Sequence, residues 1–451
     1  MWGRSRLCRW YCECGNGWTK HSDCHCTITW SKSMRPHPDF GIYLHIPFCE
    51  KKCVYCDFYS LENMDHKDVF VTLLIEEIIS IAKKYSPDVR PATSVFFGGG
   101  TPSLLSPEQI STIMETLRDH LPIHPDAEIT MECNPGTISI ESLRGYKHAG
   151  INRLSFGIQS FNQEELDFLQ RIHSPEEGKE AVRIARAAGF DNVNIDIIFA
   201  LPNQTIESWS STLEQAIALN TEHISAYSLI FEEKTPLFAM LQKGLVKPQD
   251  EERDAELYAL TIDELSKAGY VQYEVSNFAK PGFACTHNRT YWQAKEYLAF
   301  GPSAHGFVNG ARYWNYRNLK RYFEAVRVHG TGEASREVLT DHNYLYESAF
   351  LAIRSEGLSK RRFLADFGID IQAVLIDHLD ADILAEFLQV VELQEDTIIS
   401  LNASGFAICD EISIRIIGIL EEVLGSEWDA KGYEEDDDSI IDLPILQEKT
   451  R

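Results

Sequence analysis

The sequence predicts an α/β protein: an incomplete (β/α)6 barrel followed by a C-terminal, mostly helical domain of winged-helix-like pattern. Three observations carry that expectation. Six short apolar or β-rich segments recur between residues 42 and 229. Helical patterns fill the gaps between them, as right-handed βαβ units require. After about residue 230 the alternation stops, and beyond residue 340 helical periodicity dominates.

The strands are expected at 42–46, 94–97, 128–132, 153–158, 192–199 and 222–229. Each is too short for a buried helix and rich in apolar or β-favouring residues. Helices are expected at 65–85, 106–120, 139–149, 164–188 in two pieces, and 205–219. The second opens with Ser106-Pro107-Glu108-Gln109. Ser suits the N-cap, Pro the first helical position where its N–H is not missed, and Gln can reach back to the cap. Strands joined through helices run parallel and are buried on both faces, so they read as apolar runs rather than alternations. A closed eight-stranded barrel would need two more units, which the sequence does not show. A helix at 250–267, a strand at 270–277 and a Gly-, aromatic- and His-rich stretch to residue 315 follow. Residues 340–424 read as mostly helical, with β-like pieces near 398–401 and 406–408.

The expected division is an N-terminal extension (1–36), the barrel core (37–235), a barrel extension (236–335), a C-terminal domain (336–425) and an acidic tail (426–451). Over 451 residues, 42 Lys and Arg face 68 Asp and Glu, a net charge of −26. That balance argues against a nucleic-acid partner, whose phosphates need cations. No apolar run approaches the ~18 residues of a transmembrane helix. The cysteines number eleven, an odd count with no apolar signal segment. Reduced thiols in a cytoplasmic protein are therefore expected rather than a disulfide framework. Five of them, Cys8, Cys12, Cys14, Cys24 and Cys26, lie in the N-terminal extension. Their spacing fits no common zinc pattern, so the extension is expected to be disordered or non-native, with Met34 as the start; a metal module is the alternative.

The strongest chemical signal is Cys49-Glu-Lys-Lys-Cys53-Val-Tyr-Cys56, directly after the first strand. Three thiolates in this spacing can hold three irons of a cubane cluster and leave the fourth open, where electron-transfer clusters close it with a fourth Cys. Gly98-Gly99-Gly100-Thr101-Pro102 follows the second strand, where glycine lets the backbone approach a ligand or simply make a tight turn. Glu132 ends the third strand, Gln159 the fourth, Arg171 follows on the next helix, and Asp196 lies on the fifth strand. Ligands of β/α proteins gather at such C-terminal strand ends.

The stretch Tyr43-Leu-His45-Ile-Pro47-Phe48-Cys49 through Cys53-Val-Tyr55-Cys56-Asp-Phe58 resembles the signature of the radical S-adenosylmethionine (SAM) proteins, in the style of the oxygen-independent coproporphyrinogen III oxidase family. The resemblance spans roughly residues 40–425. It implies a [4Fe–4S] cluster on Cys49, Cys53 and Cys56, with SAM chelating the open iron. An electron from the cluster would then cleave the sulfonium C–S bond to give a 5′-deoxyadenosyl radical. By the same resemblance Tyr43, Tyr55, Gly99, Gly100, Thr101, Glu132, Gln159, Arg171 and Asp196 line one SAM site or two.

Two features point to one branch of that family. The oxidases carry a further Cys after the cluster motif, where this chain has Phe58. Cys285-Thr-His287-Asn288-Arg-Thr-Tyr291-Trp292 resembles the HNxxYW motif of haem chaperones of the HemW type. Haem is then expected at His287, Asn288, Tyr291 and Trp292, imidazole being a good axial ligand. Cys285 and His305 are further conceivable ligands, a loop histidine being as economical an account of His305. Without the resemblance a packed core histidine would be the commoner account of His287, and with it haem is the expectation. The expected function is a haem chaperone that hands haem to membrane proteins such as respiratory enzymes, by peripheral contact. The oligomeric state, a homodimer included, stays open. The alternative is an oxygen-independent coproporphyrinogen III oxidase, converting two propionates to vinyls. A radical SAM enzyme acting on nucleic acid or another small molecule is a third class, which the acidic balance disfavours for nucleic acid.

Overall fold

A computed structural model describes residues 40–85 and 90–425. The N-terminal cysteines and the acidic tail lie outside the described residues. Strands β1 (Gly41–Ile46), β2 (Ala92–Gly99), β3 (Ile123–Cys133), β4 (Arg153–Gln159), β5 (Val193–Phe199) and β6 (His223–Ser228) pair in sequence order, all parallel. Helices α1 (Lys67–Tyr85), α2 (Pro107–His120), α3 (Ile140–Ala149), α4 (Gln163–Phe168), α5 (Pro175–Ala187) and α6 (Ile206–Ala218) connect them.

Local chemistry explains the helix starts. Ser106 accepts from the Gln109 amide while the Gln109 side chain returns to the Ser106 amide, and Ser174 with Glu177 repeats the arrangement. Both helices carry Pro at their first position. The apolar faces of these helices cover the sheet. Trp209 on α6 is fully buried and donates its indole N–H to Thr261 on the later helix α8 (Glu251–Lys267), 2.9 Å away. Burying a side chain of that size stabilises by roughly 1.5–3 kcal/mol.

Beyond β6 the chain passes through α7 (Pro236–Gln242) and α8, then forms two short strands, β7 (Val271–Gln272) and β8 (Asn277–Ala279). The single strand expected over 270–277 is thus broken by a turn. β8 pairs antiparallel with β6. Helix α9 (Thr286–Trp292) follows, and β9 (Tyr297–Phe300) pairs parallel with β1. α9 is therefore strung between strands at opposite edges of the six-stranded parallel core. From β9 the sheet continues antiparallel through β10 (His305–Val308), β11 (Ala311–Asn315) and β12 (Glu333–Val338), with α10 (Leu319–His329) before the last.

Glu77 of α1 locks this edge. Its buried carboxylate accepts from the Gly301 and Gly332 amides, the Asn315 side chain and the Tyr322 hydroxyl, at 2.7–2.9 Å. The C-terminal part comprises α11 (Asp341–Ile353), β13 (Leu358–Ser359), α12 (Lys360–Phe367), α13 (Ile371–His378), α14 (Ala381–Phe387), β14 (Leu388–Glu392), β15 (Thr397–Leu401), α15 (Ala403–Ala407) and α16 (Cys409–Leu424). Its three strands form an antiparallel sheet in the order β13-β15-β14, the helices and β-hairpin of a winged-helix-like pattern. Residues 406–407, expected as β-like, end α15 instead, because Asn402 caps that helix by accepting from the Gly405 amide.

Candidate functional site

Cys49, Cys53 and Cys56 sit on the loop leaving β1, all as free thiols. Cys49 is anchored by its amide, which donates to the Leu61 carbonyl at 3.0 Å, and the loop turns back where the Cys56 amide donates to the Cys53 carbonyl. Thr101 donates its hydroxyl to Cys49 Sγ (3.5 Å), and Arg171 donates to Cys53 Sγ (3.3 Å). Burial pushes the Cys56 thiol up to about 11, and the charges of Cys53 and Cys49 add to the shift, so the three thiols share one neighbourhood. Among the described residues no three His, Cys, Asp or Glu side chains close on a single ion. A cubane asks for something wider, since each thiolate holds a different iron. The donor set fits that cluster.

Gly98 and Gly99 end β2 beside this loop, and Gly100 follows directly. A Cβ on Gly100 would stand 2.6 Å from the Phe48 carbonyl oxygen, so the glycine permits the close approach of two backbones. The Gly99 amide donates to Glu132 Oε2 at 3.1 Å. Burial, reinforced by the Asp196 charge, raises the Glu132 carboxyl to about 8, and burial raises Asp196 as well. Arg171 donates to the Gly157 carbonyl (2.6 Å) and to Asn134, while its buried Nε has no protein partner. Gln159 follows a bulge in β4 and takes a left-handed backbone, φ 72°. Tyr55 packs on the apolar cluster of Leu169, Ile198, Leu201, Leu229 and Leu237. Of the expected SAM residues, Gly99, Glu132 and Gln159 lie at the C-terminal ends of β2, β3 and β4, with Gly100 and Thr101 just beyond β2. Tyr43 and Asp196 sit mid-strand in β1 and β5, and Arg171, expected on a helix, stands on the loop after α4. Orphaned Arg171 Nε, the glycine cradle and the two half-buried carboxylates of Glu132 and Asp196 fit a cationic, carboxylate-bearing cofactor.

The expected haem residues lie on α9, inside the barrel. His287 is 1% exposed and stacks on Phe96 (5.0 Å between centroids) and on Tyr43 (6.3 Å). Its Nδ1 bonds Ser94 Oγ at 2.9 Å and its Nε2 bonds the Tyr291 hydroxyl at 2.8 Å. Burial, helped by Arg153, lowers its pKa to about 3. Cys285 is fully buried and donates to Glu128 Oε1, which also accepts the His287 amide; Thr286 donates to the other oxygen. Asn288 donates to the Tyr273 hydroxyl at 3.4 Å. Tyr291 and Trp292 are half-buried. The donor types suit haem iron, yet both His287 nitrogens are taken, so this arrangement does not fit an axial ligand.

Sequence reasoning missed the polar lining of the lumen. Arg153, 2% exposed, lies 4.0 Å from Glu128 and is the cation whose field reaches Asp196, Glu132, Cys285, His223 and His287. Asn194 and His223 are buried beside it. A signal was present: Asn194 with Asp196, and His223 with Ser225, place polar residues two apart in otherwise apolar strands, hence on one face.

The Radical SAM superfamily family matches residues 43–216. The heme chaperone HemW of Bacillus subtilis is 37% identical over 330 residues, covering 72% of this chain and 86% of that protein. The mitochondrial radical S-adenosyl methionine domain-containing protein 1 of Bos taurus is 32% identical over 400 residues, covering 85% of this chain and 88% of that one. The solved coproporphyrinogen III oxidase HemN of Escherichia coli, a radical SAM enzyme, is similar in structure with a TM-score of 0.71 and 25% identity, over 84% of this chain and 91% of that one.

Proposed function

This chain belongs to the HemW family of radical SAM proteins, and on that premise we propose that it is a haem chaperone serving haem-dependent membrane proteins such as respiratory enzymes. Cys49, Cys53 and Cys56 would hold a [4Fe–4S] cluster, and Tyr43, Tyr55, Gly99, Gly100, Thr101, Glu132, Gln159, Arg171 and Asp196 would line the SAM site. When bound, that pair supplies one-electron chemistry. The protein's own part is to hold the Cys53 thiol against the Arg171 guanidinium, the Cys49 thiol against the Thr101 hydroxyl, and to keep the carboxylates of Glu132 and Asp196 half-buried. No described helix is long and apolar enough to cross a membrane, so delivery would be by peripheral contact. We read the location as cytoplasmic.

What most supports a chaperone is the 37% identity to a heme chaperone HemW, together with the His287–Trp292 motif on α9, whose His287 stacks on Tyr43. His287, Asn288, Tyr291 and Trp292 remain the candidate haem contacts, although in the arrangement described His287 offers no free nitrogen. Likeness to the HemN structure favours a second reading, oxidative decarboxylation of coproporphyrinogen III. One experiment separates the two. The anaerobically reconstituted protein is given SAM, a strong reductant and coproporphyrinogen III, and in parallel is titrated with ferric haem. Haem binding without protoporphyrinogen supports the chaperone; protoporphyrinogen formed at turnover establishes the oxidase and overturns it.

A further inference from the structure

The two candidate sites are joined inside the barrel. From the motif, the Cys285 amide (3.3 Å) and the Asn288 side chain (3.4 Å) reach the Tyr273 hydroxyl. That hydroxyl lies 2.8 Å from His223 Nε2. His223 Nδ1 lies 2.6 Å from Asn194 Oδ1, and Asn194 Nδ2 lies 2.8 Å from Asp196 Oδ1. Proton positions in this chain are forced. Amide and carboxamide N–H groups only donate, so the Tyr273 oxygen accepts both and its own proton goes to His223 Nε2. Buried, neutral His223 then carries its proton on Nδ1 and donates it to Asn194 Oδ1. The Asn194 amide is thereby oriented to donate to Asp196. Every donor points toward the Asp196 carboxylate.

A chain of donors aligned on one carboxylate polarises cooperatively in a low-dielectric interior. A ligand group that took an Asp196 oxygen would compete with the Asn194 donor at the end of this chain. On the other wall of the lumen, Tyr43 of the mouth stacks directly on His287. We propose that Tyr273 and His223 are positioning residues that tie the occupancy of the SAM site at Asp196 to the opening of α9, and so to haem uptake by the motif. The proposal rests on the haem-chaperone reading and adds to it the device that frees His287 from Ser94 and Tyr291. SAM and haem are then coupled ligands, and the coupling is reciprocal.

The test uses the full chain with its cluster reconstituted. Ferric haem affinity is measured with and without saturating SAM in wild type, Tyr273→Phe, His223→Gln and the control Tyr270→Phe. Tyr270 is a buried tyrosine whose hydroxyl bonds the Thr221 carbonyl outside the chain. Wild type and the control are expected to change haem affinity at least about fivefold on adding SAM, the low end of measured couplings. Tyr273→Phe and His223→Gln should fall to within about twofold, both ligands still binding singly. Hydrogen exchange at the 285–288 amides should respond to SAM in wild type and not in Tyr273→Phe. No SAM effect in wild type, or a full effect in both variants, overturns the proposal while leaving the chaperone reading intact. Absence of haem binding in every variant overturns both.

Discussion

Tyr43 and His287 stack with ring centroids 6.3 Å apart and planes 23° from parallel, although one leaves the first strand and the other rides on α9. Phe96 completes the stack, and Ser94 and Tyr291 hold the imidazole edge at both nitrogens. A residue expected to touch SAM and one expected to touch haem are thus neighbours in the core.

The first prediction concerns that closed imidazole. With its pKa lowered to about 3 by burial, His287 stays neutral from pH 5 to 8, and its NMR signal should not titrate there. If haem iron takes Nε2, the Tyr291 hydroxyl is its competitor, so Tyr291→Phe should tighten haem binding. His287→Ala should weaken it about tenfold or more, the loss of one ligand bond worth at least 1.4 kcal/mol. Cluster absorbance should be unaffected in both. Unchanged haem affinity in His287→Ala would remove His287 as a ligand.

The parallel core was legible because buried βα units write themselves as apolar runs with capped helices between them. Gly41–Ile46 and Ala92–Gly99 lie where sequence placed them, somewhat longer. The cluster loop was legible because its three cysteines are local. What was not legible is the lumen: Ser94 meets His287 across 193 residues, and Tyr273 meets His223 across 50. Periodicity reports which face a side chain takes but not which distant element fills the space opposite. The motif on α9 is an example: its residue types suit iron, and only the structure shows that Ser94 and Tyr291 hold both His287 nitrogens.

Gly100 offers a second prediction. A Cβ there meets the backbone of Phe48 at 2.6 Å and of Ile46 at 2.8 Å, and neither can rotate away. Gly100→Ala should therefore push the cluster loop off β2, destabilise by about 1–3 kcal/mol as overpacking does, and reduce SAM affinity. At Gly98 the nearest atoms belong to the Phe96, Tyr43 and Glu132 side chains, which can give. Gly98→Ala should be the milder change in thermal melts, and the reverse order would refute this reading of the cradle.

Arg171 carries the third. Its guanidinium spans Cys53, Gly157 and Asn134 from one side chain. Arg171→Ala removes the cation beside the thiols and strands the Gly157 carbonyl, so iron retained after anaerobic reconstitution should drop and the protein should lose on the order of 2–3 kcal/mol. Arg171→Lys keeps the charge but not the planar fork, and should recover iron more than stability. Equal iron content in wild type and Arg171→Ala would show that the thiols do not need this cation.

The last prediction is a pH dependence set by Glu274, between β7 and β8. Its side chain is fully buried; one oxygen accepts from the Ser276 amide at 3.2 Å and the other has no protein partner. Burial raises its pKa from 4.5 to about 7, against the opposing pull of the Ser276 and Asn277 donors. Between those values the folded protein keeps a proton that the unfolded chain releases. Stability therefore falls as pH rises from about 4.5 to about 7 and levels off above, by at most roughly 3–4 kcal/mol at 1.36 kcal/mol per pKa unit. Glu274→Gln holds the neutral form at every pH. Denaturant melts of the cluster-free protein should show the variant gaining on wild type steadily from pH 5 to 7 and holding that lead at pH 8. A constant difference across the range would mean that Glu274 is not the group that binds the proton.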